Sequence, residues 1–135
     1  MYAQEFSKLW YKLSRDMKTH LEAELGPGLT EAQLLVLEQL LPDNPMKPSD
    51  LIPLLATTPA AVTTLLDRME RGGLIERVRD DKDRRIVWIK VTDKGRQEGE
   101  RGLAIRQQFI ESYLNRISSH NQQFLVYLLG KVANV

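Results

Sequence analysis

The densest run of chemically capable groups lies between Arg77 and Arg85, where Arg77, Arg79, Lys82, Arg84 and Arg85 alternate with Asp80, Asp81 and Asp83. Guanidinium and ammonium groups spaced this closely suit phosphate oxygens, which accept their hydrogen bonds and make affinity depend on salt. The same run also fits a solvated hairpin tip, where exposed ion pairs contribute only about 0–1 kcal/mol. Its surroundings have to decide. Between Thr57 and Arg96 stand 10 Lys and Arg against 7 Asp and Glu, a local excess of three, while the whole chain holds 19 against 18. The basic character is therefore mild and confined to this part of the chain.

Catalysis has no comparable cluster. There is no Gly-rich phosphate loop and no nucleophile-elbow sequence, and carboxylates such as Glu22 and Glu24 sit where ordinary helix surface is expected. The only histidines, His20 and His120, are too far apart in sequence to form a metal-ligand pair, and the chain contains no cysteine. The expectation is no enzyme, no metal, no cofactor and no thiol redox switch. Cysteine-free composition fits a reducing cytoplasm. No stretch approaches the roughly 20 apolar residues of a membrane span, and Met1 to Trp10 lack the basic-then-apolar order of an export signal, so a soluble cytoplasmic protein without a membrane role is expected.

The elements that would hold the charged run follow from periodicity. With 135 residues and 42% hydrophobic content the chain suits one domain with a core of its own. Phe6, Leu9, Trp10, Leu13, Met17 and Leu21 recur at three- and four-residue spacing and predict a long first helix, ended by Gly26-Pro27-Gly28. Thr30 caps a second helix that buries Leu34, Leu37 and Leu41 and stops at Pro42 to Pro45. A third, shorter helix is expected from Ser49 as its cap, with Pro53 in or just past the first turn. After Thr57-Thr58, Pro59 opens a fourth helix, with Thr58 as cap.

In that fourth helix Val62, Leu65, Leu66 and Met69 face inward, leaving Ala60, Ala61, Thr63, Thr64, Asp67, Arg68 and Arg71 outward. Small and hydroxylic side chains permit close approach to a major groove, although an ordinary surface helix would also carry them. Gly72-Gly73 then ends the helix, and Leu74 to Arg79 and Ile86 to Val91 read as two strands joined by the charged tip from Asp80 to Arg85. Val87, Ile89 and Val91 alternate inward, and Trp88 points to the other face. Helix-turn-helix followed by a β-hairpin is a winged helix.

At this point the run from Leu66 to Arg77 (LDRMERGGLIER), the tip from Asp80 to Arg85 (DDKDRR) and Val91 to Gly95 (VTDKG) together resemble the signature of MarR-family regulators, and flanking helices fit that family's layout along the whole chain. The resemblance implies a mainly α protein of about six helices with a two- or three-stranded β-wing. Within a single domain, 1–135, it implies a DNA-binding lobe over 30–96 and dimerisation helices over 1–25 and 97–135.

It further implies that Asp83 orients Arg85 toward a DNA minor groove, a role that a flat guanidinium in a narrow, negative groove suits physically. Thr58, Pro59, Ala60, Ala61, Thr63, Thr64 and Arg68 become the expected major-groove residues, and Arg77, Arg79, Lys82, Asp83, Arg84 and Arg85 the expected wing contacts. The partners implied are double-stranded operator DNA and a second copy of the chain, for a ligand-responsive repressor on a pseudo-palindromic operator.

A fifth helix after Thr92-Asp93 carries Leu103, Phe109, Ile110, Leu114 and Ile117, and Gly95, Gly99 and Gly102 weaken its beginning by about 1 kcal/mol each relative to alanine. A sixth helix, Asn121 to Val132, presents Phe124, Leu125, Leu128, Leu129 and Val132. These apolar faces exceed what one small lobe covers, in keeping with a homodimer. A small aromatic or phenolic effector is implied by the family, with Trp10, Tyr11, Met17 and His20 as candidate lining, although such residues at helical spacing also serve as core. The competing reading is a winged-helix module that binds another protein through an apolar patch.

Overall fold

A computed structural model describes residues 1–135, which form six helices and a two-stranded hairpin. Helix α1 spans Ala3–Leu25, α2 Glu31–Leu40, α3 Pro48–Leu55 and α4 Pro59–Arg71; strands β1 (Ile75–Arg79) and β2 (Val87–Val91) follow, then α5 Asp93–Leu114 and α6 Ser119–Val132. The expected mainly helical, winged helix-turn-helix class is the observed one.

Three helix starts follow their expected caps. The Thr30 hydroxyl accepts the Gln33 amide at 3.1 Å while the Gln33 side chain accepts the Thr30 amide at 3.0 Å, a reciprocal box that satisfies two otherwise orphaned donors. Thr58 accepts from Ala61 at 3.2 Å with Pro59 at the first helical position, and Thr92 accepts from Gly95 at 3.0 Å.

Two starts differ from expectation. Helix α3 begins at Pro48 rather than after Ser49, because Asp50 accepts the Lys47 amide at 3.1 Å and proline suits the first helical position. Pro53 consequently lies inside this short helix, beyond its first turn, where it leaves the carbonyl of exposed Ser49 without its helical donor. Helix α6 begins at Ser119 rather than Asn121, because Ser118 is its cap and accepts the Asn121 amide at 3.2 Å. The strands begin one residue later than expected, at Ile75 and Val87, and Ile117 falls beyond the end of α5.

The core runs through the middle of the chain: Leu21, Leu25, Leu29, Leu34, Val36, Leu37, Leu40, Leu51, Val62, Leu66, Met69, Leu74, Ile75 and Ile89 form one buried cluster. Leu41, expected on the buried face of the second helix, is instead the residue that closes it and is only partly buried; Leu40 takes the inner place. The strands pair antiparallel from Ile75 opposite Val91 to Arg79 opposite Val87. A third strand is reduced to one bridge, in which Met46 and Ile89 exchange backbone hydrogen bonds at 3.1 and 2.7 Å. No single helix is long and apolar enough to cross a membrane.

The glycines of α5 have a packing role that composition alone reads only as weakness. A Cβ at Gly95 would stand 2.0 Å from the Leu74 carbonyl oxygen, and one at Gly102 would stand 2.7 Å from Leu34 and 3.2 Å from Leu25 and Leu29. The helix therefore crosses the core at a distance that only glycine allows. Gly95→Ala, although favourable by about 1 kcal/mol in an isolated helix, is expected to lower stability by a net 1–3 kcal/mol, roughly the usual range for overpacking, read as an earlier urea midpoint with an unchanged slope.

Candidate nucleic-acid interface

Helices α3 and α4 are joined by Ala56, Thr57 and Thr58, and their axes turn through 112°. That angle lies in the range of about 90–120° typical of a helix-turn-helix. Ala56 adopts a left-handed conformation, φ 49°, to make the turn. Val62, Leu66 and Met69 anchor α4 in the core, so Ala60, Ala61, Thr63, Thr64, Asp67, Arg68 and Arg71 remain on its outer surface. Thr58 and Pro59 are exposed at its start. These residues form one continuous face.

The hairpin follows directly and its tip is built by carboxylates. Asp80 Oδ2 accepts the backbone amides of Lys82 and Asp83 at 3.0 and 2.9 Å, and its Oδ1 accepts the Trp88 indole N–H at 3.1 Å. Trp88 thus lies against the outside of the wing with its polar atom satisfied. The Arg79 guanidinium donates to the Arg84 carbonyl at 2.7 Å and closes the hairpin from its other side.

Beyond this frame, Arg85 Nε and Nη2 donate to the two carboxylate oxygens of Asp83 at 2.9 and 3.0 Å, a bidentate pair. Asp83 Oδ1 also accepts the Arg85 backbone amide at 3.1 Å. The Arg85 side chain stays 91% exposed, so its planar group is aimed without being enclosed.

Hydrogen bonds hold both carboxyls below their ordinary range. The Trp88 indole, then the amides of Asp83 and Lys82, lower that of Asp80; the Arg85 guanidinium, then its amide, lower that of Asp83 and in return raise the already high Arg85 value.

Several basic residues that count toward local charge are committed within the chain. Arg77 donates to Glu70 Oε1 at 2.8 Å and Asp67 Oδ1 at 2.9 Å, which ties β1 to the outer side of α4 and leaves the guanidinium mostly covered. Lys94 donates to the Gly72 carbonyl at 2.8 Å and Arg96 to the Pro42 carbonyl at 2.7 Å. Exposed cations on these two elements are Arg68 and Arg71 on the helix and Arg79, Lys82, Arg84 and Arg85 on the wing, of which Arg79 is committed to the Arg84 carbonyl. Sequence spacing named Arg77 and Arg79 for the interface without showing that each already has an intramolecular acceptor. The acidic partners of Arg77 are separated from it by seven and ten residues, a spacing with no local signature.

The four candidate effector residues are not gathered in one place. Trp10 and Tyr11 are exposed on α1, Met17 packs against the core, and His20 stacks on Phe109 with ring centroids 4.7 Å apart. His20, Glu24, Ile105, Gln108, Phe109 and Ser112 line an open cleft of about 300 Å³ between α1 and α5. Nearby, Tyr113 donates to Asp16 at 2.8 Å and Arg116 lies 4.2 Å over the Tyr113 ring.

Comparison with known proteins gives a consistent result. The MarR family model matches residues 29–87. The HTH-type transcriptional repressor MdtR of Bacillus subtilis is 31% identical over 93% of this chain and 79% of its own length. A MarR family protein from Bacillus stearothermophilus superposes with a TM-score of 0.82 at 27% identity, covering 97% of this chain and 92% of that one. A mutant MarR from E. coli, solved in complex with operator DNA, superposes with a TM-score of 0.79 at 25% identity, covering 98% and 97%.

The wing's acid behaviour follows from the two lowered carboxyls. The unfolded chain binds more protons than the folded one in acid, so the stabilisation is complete above the free carboxylate value of about 3.9 and is lost as pH falls through the lower folded values. The Trp88 indole N–H resonance is expected to hold its position from about pH 7 to about pH 4 and to move only below that range. A midpoint above about 4 would contradict the hydrogen bonding described, and Asp80→Ala should remove the transition.

Proposed function

Because the chain belongs to the MarR family, we propose that it is a sequence-specific, double-stranded DNA-binding repressor that acts as a homodimer in the bacterial cytoplasm. The observation that carries this reading is the bidentate Asp83–Arg85 pair, held out at the tip of a wing that directly follows a helix-turn-helix. A guanidinium already oriented by a carboxylate loses little freedom on entering a narrow minor groove, where the potential is most negative. Arg68, Arg71, Lys82 and Arg84 then contact phosphates and supply salt-dependent affinity. Arg77 and Arg79 act within the protein, the first setting the angle between wing and helix and the second holding the hairpin closed. The region from 30 to 96 is the DNA-binding lobe.

The segments 1–25 and 97–135 form the dimer. In the single chain α6 buries no residue, and Phe124, Tyr127, Leu128 and Val132 join Phe6, Leu9, Trp10 and Leu13 of α1 as exposed apolar groups. A second copy is the occupant that makes this surface stable in water, and a two-fold axis places two recognition helices about 34 Å apart, one turn of DNA. Bound over a promoter, such a dimer excludes polymerase. A small aromatic effector fits the cleft beside His20 and Phe109, where a ring adds to the existing stack and a bound molecule acts on α5, the helix that joins the two regions.

Two measurements test this reading. Selection from a random duplex pool is expected to enrich a two-fold-symmetric site with half-sites about 10 base pairs apart. Arg85→Ala should weaken binding to that site about 5- to 150-fold, the equivalent of about 1–3 kcal/mol. If no duplex is enriched and retention ignores both salt and Arg85, the protein-binding winged helix takes its place. Sedimentation at micromolar concentration should find a dimer, and monomer alone would exclude the two-fold arrangement.

A further inference from the structure

The first two turns of α4 have an unusual chemical inventory for a helix that reads DNA. Ala60, Thr63, Thr64 and Asp67 lie at positions i, i+3, i+4 and i+7 of one exposed stripe, opposite the buried Val62, Leu66 and Met69. The Asp67 carboxylate is occupied by Arg77. Neither an amide nor a guanidinium side chain stands anywhere between Pro59 and Leu66. The nearest cations, Arg68 and Arg71, lie about 12 Å or more farther along the axis than Ala60 at roughly 1.5 Å per residue. In a helix-turn-helix the N-terminal residues of the second helix meet base edges, so those cations fall toward the phosphates.

The two threonines are further restricted. The Thr63 hydroxyl donates to the Pro59 carbonyl at 3.1 Å and that of Thr64 to the Ala60 carbonyl at 3.2 Å. Each hydroxyl has a single proton, and both are used within the helix. What remains for a partner is two acceptor oxygens, the two threonine methyls and the alanine Cβ atoms. Bidentate recognition of guanine needs two donors and that of adenine a donor and an acceptor on one long side chain; this face offers neither.

Resting on the DNA-binding reading above, we propose that the first two turns of α4 select A·T base pairs through contact of Ala60, Thr63 and Thr64 with thymine 5-methyl groups. The chemistry of the groove points one way. An oxygen that only accepts is repelled by guanine N7 and O6 and by thymine O4, but it accepts from adenine N6–H or cytosine N4–H. A methyl group gains only beside the thymine methyl. The A·T pair is the one that offers both the methyl and the donor. The G·C pair supplies a donor with no apolar neighbour. The operator half-site is therefore centred on A·T pairs that are read by shape and apolar contact.

Deoxyuridine replaces thymine in the selected duplex without altering any hydrogen-bonding edge, so it isolates the methyl group. Fluorescence anisotropy at fixed salt is expected to show, at one or two symmetric pairs of half-site positions, an affinity loss of about fifteenfold per pair. That is about fourfold for each methyl, the equivalent of about 0.8 kcal/mol. Thr63→Ser or Thr64→Ser, whichever faces the position, should bind thymine and deoxyuridine duplexes alike, whereas the corresponding change to Val should keep the penalty. The proposal fails if the wild-type protein binds both duplexes equally at every half-site position, or if the selected half-site is centred on G·C, while binding still depends on salt and Arg85; the DNA reading then stands. If no duplex is bound at all, the DNA reading itself falls and takes the proposal with it.

Discussion

The close approach of α5 to the core is the constraint on which the rest of the structure depends. Its three buried glycines let the helix axis lie against Leu74, Leu37, Leu41, Leu34, Leu25 and Leu29 without intervening side chains. Polar contacts then fasten what that proximity brings together. Lys94 holds the Gly72 carbonyl at the cap of α4, Arg96 holds the Pro42 carbonyl beyond α2, and Arg101 donates to the Leu25 carbonyl at 2.8 Å at the end of α1. Helix C-termini carry partial negative charge, so three cations on one strut suit three such ends. Arg106 adds an ion pair to Glu38 of α2. Helix α5 is thereby the rigid connection between the terminal helices and the lobe that holds the wing.

Charge in this protein does two kinds of work, and position along the fold separates them. Cations with a nearby carbonyl or carboxylate, such as Arg77, Arg79, Lys94 and Arg96, brace the lobe and set the angle of the hairpin. Among those without one, Arg68 and Arg71 stand on the face of α4 and Lys82 and Arg84 on the wing. Arg85 combines both features, since its acceptor fixes a direction while its surface stays open. An exposed pair of this kind adds little to stability. Its value lies in preorganisation, because a side chain with many rotamers is held in one orientation before any partner arrives. The carboxylates of Asp80 and Asp83 act in sequence: one folds the tip and the other aims the arginine.

The face of α4 follows a different logic. Its early turns carry small side chains, and the Thr63 and Thr64 hydroxyl protons turn back onto the helix. In the DNA-binding reading proposed above, long-range attraction falls to the wing and the later turns and selectivity to the early ones, because phosphate contacts position a protein and base contacts specify its site.

Local rules made much of this legible in the sequence. Thr30, Thr58 and Thr92 each precede a helix they cap, Pro59 opens α4, and alternation at Val87, Ile89 and Val91 marks a strand, because caps, first-turn prolines and side-chain period depend on neighbours within a few residues. The winged helix and the outward face of α4 were readable for that reason, whereas the pairing of Asp83 with Arg85 was implied by the family resemblance. The start of α3 was misread because Ser49 and Asp50 both have capping chemistry, and only the backbone decides which one meets the amide of Lys47. Tertiary structure alone decided that Arg77 serves Asp67 and Glu70, that Trp88 donates to Asp80, and that the α5 glycines are contact points. Each depends on residues that separate elements bring together, and sequence spacing does not encode the distance between surfaces until the core has set it.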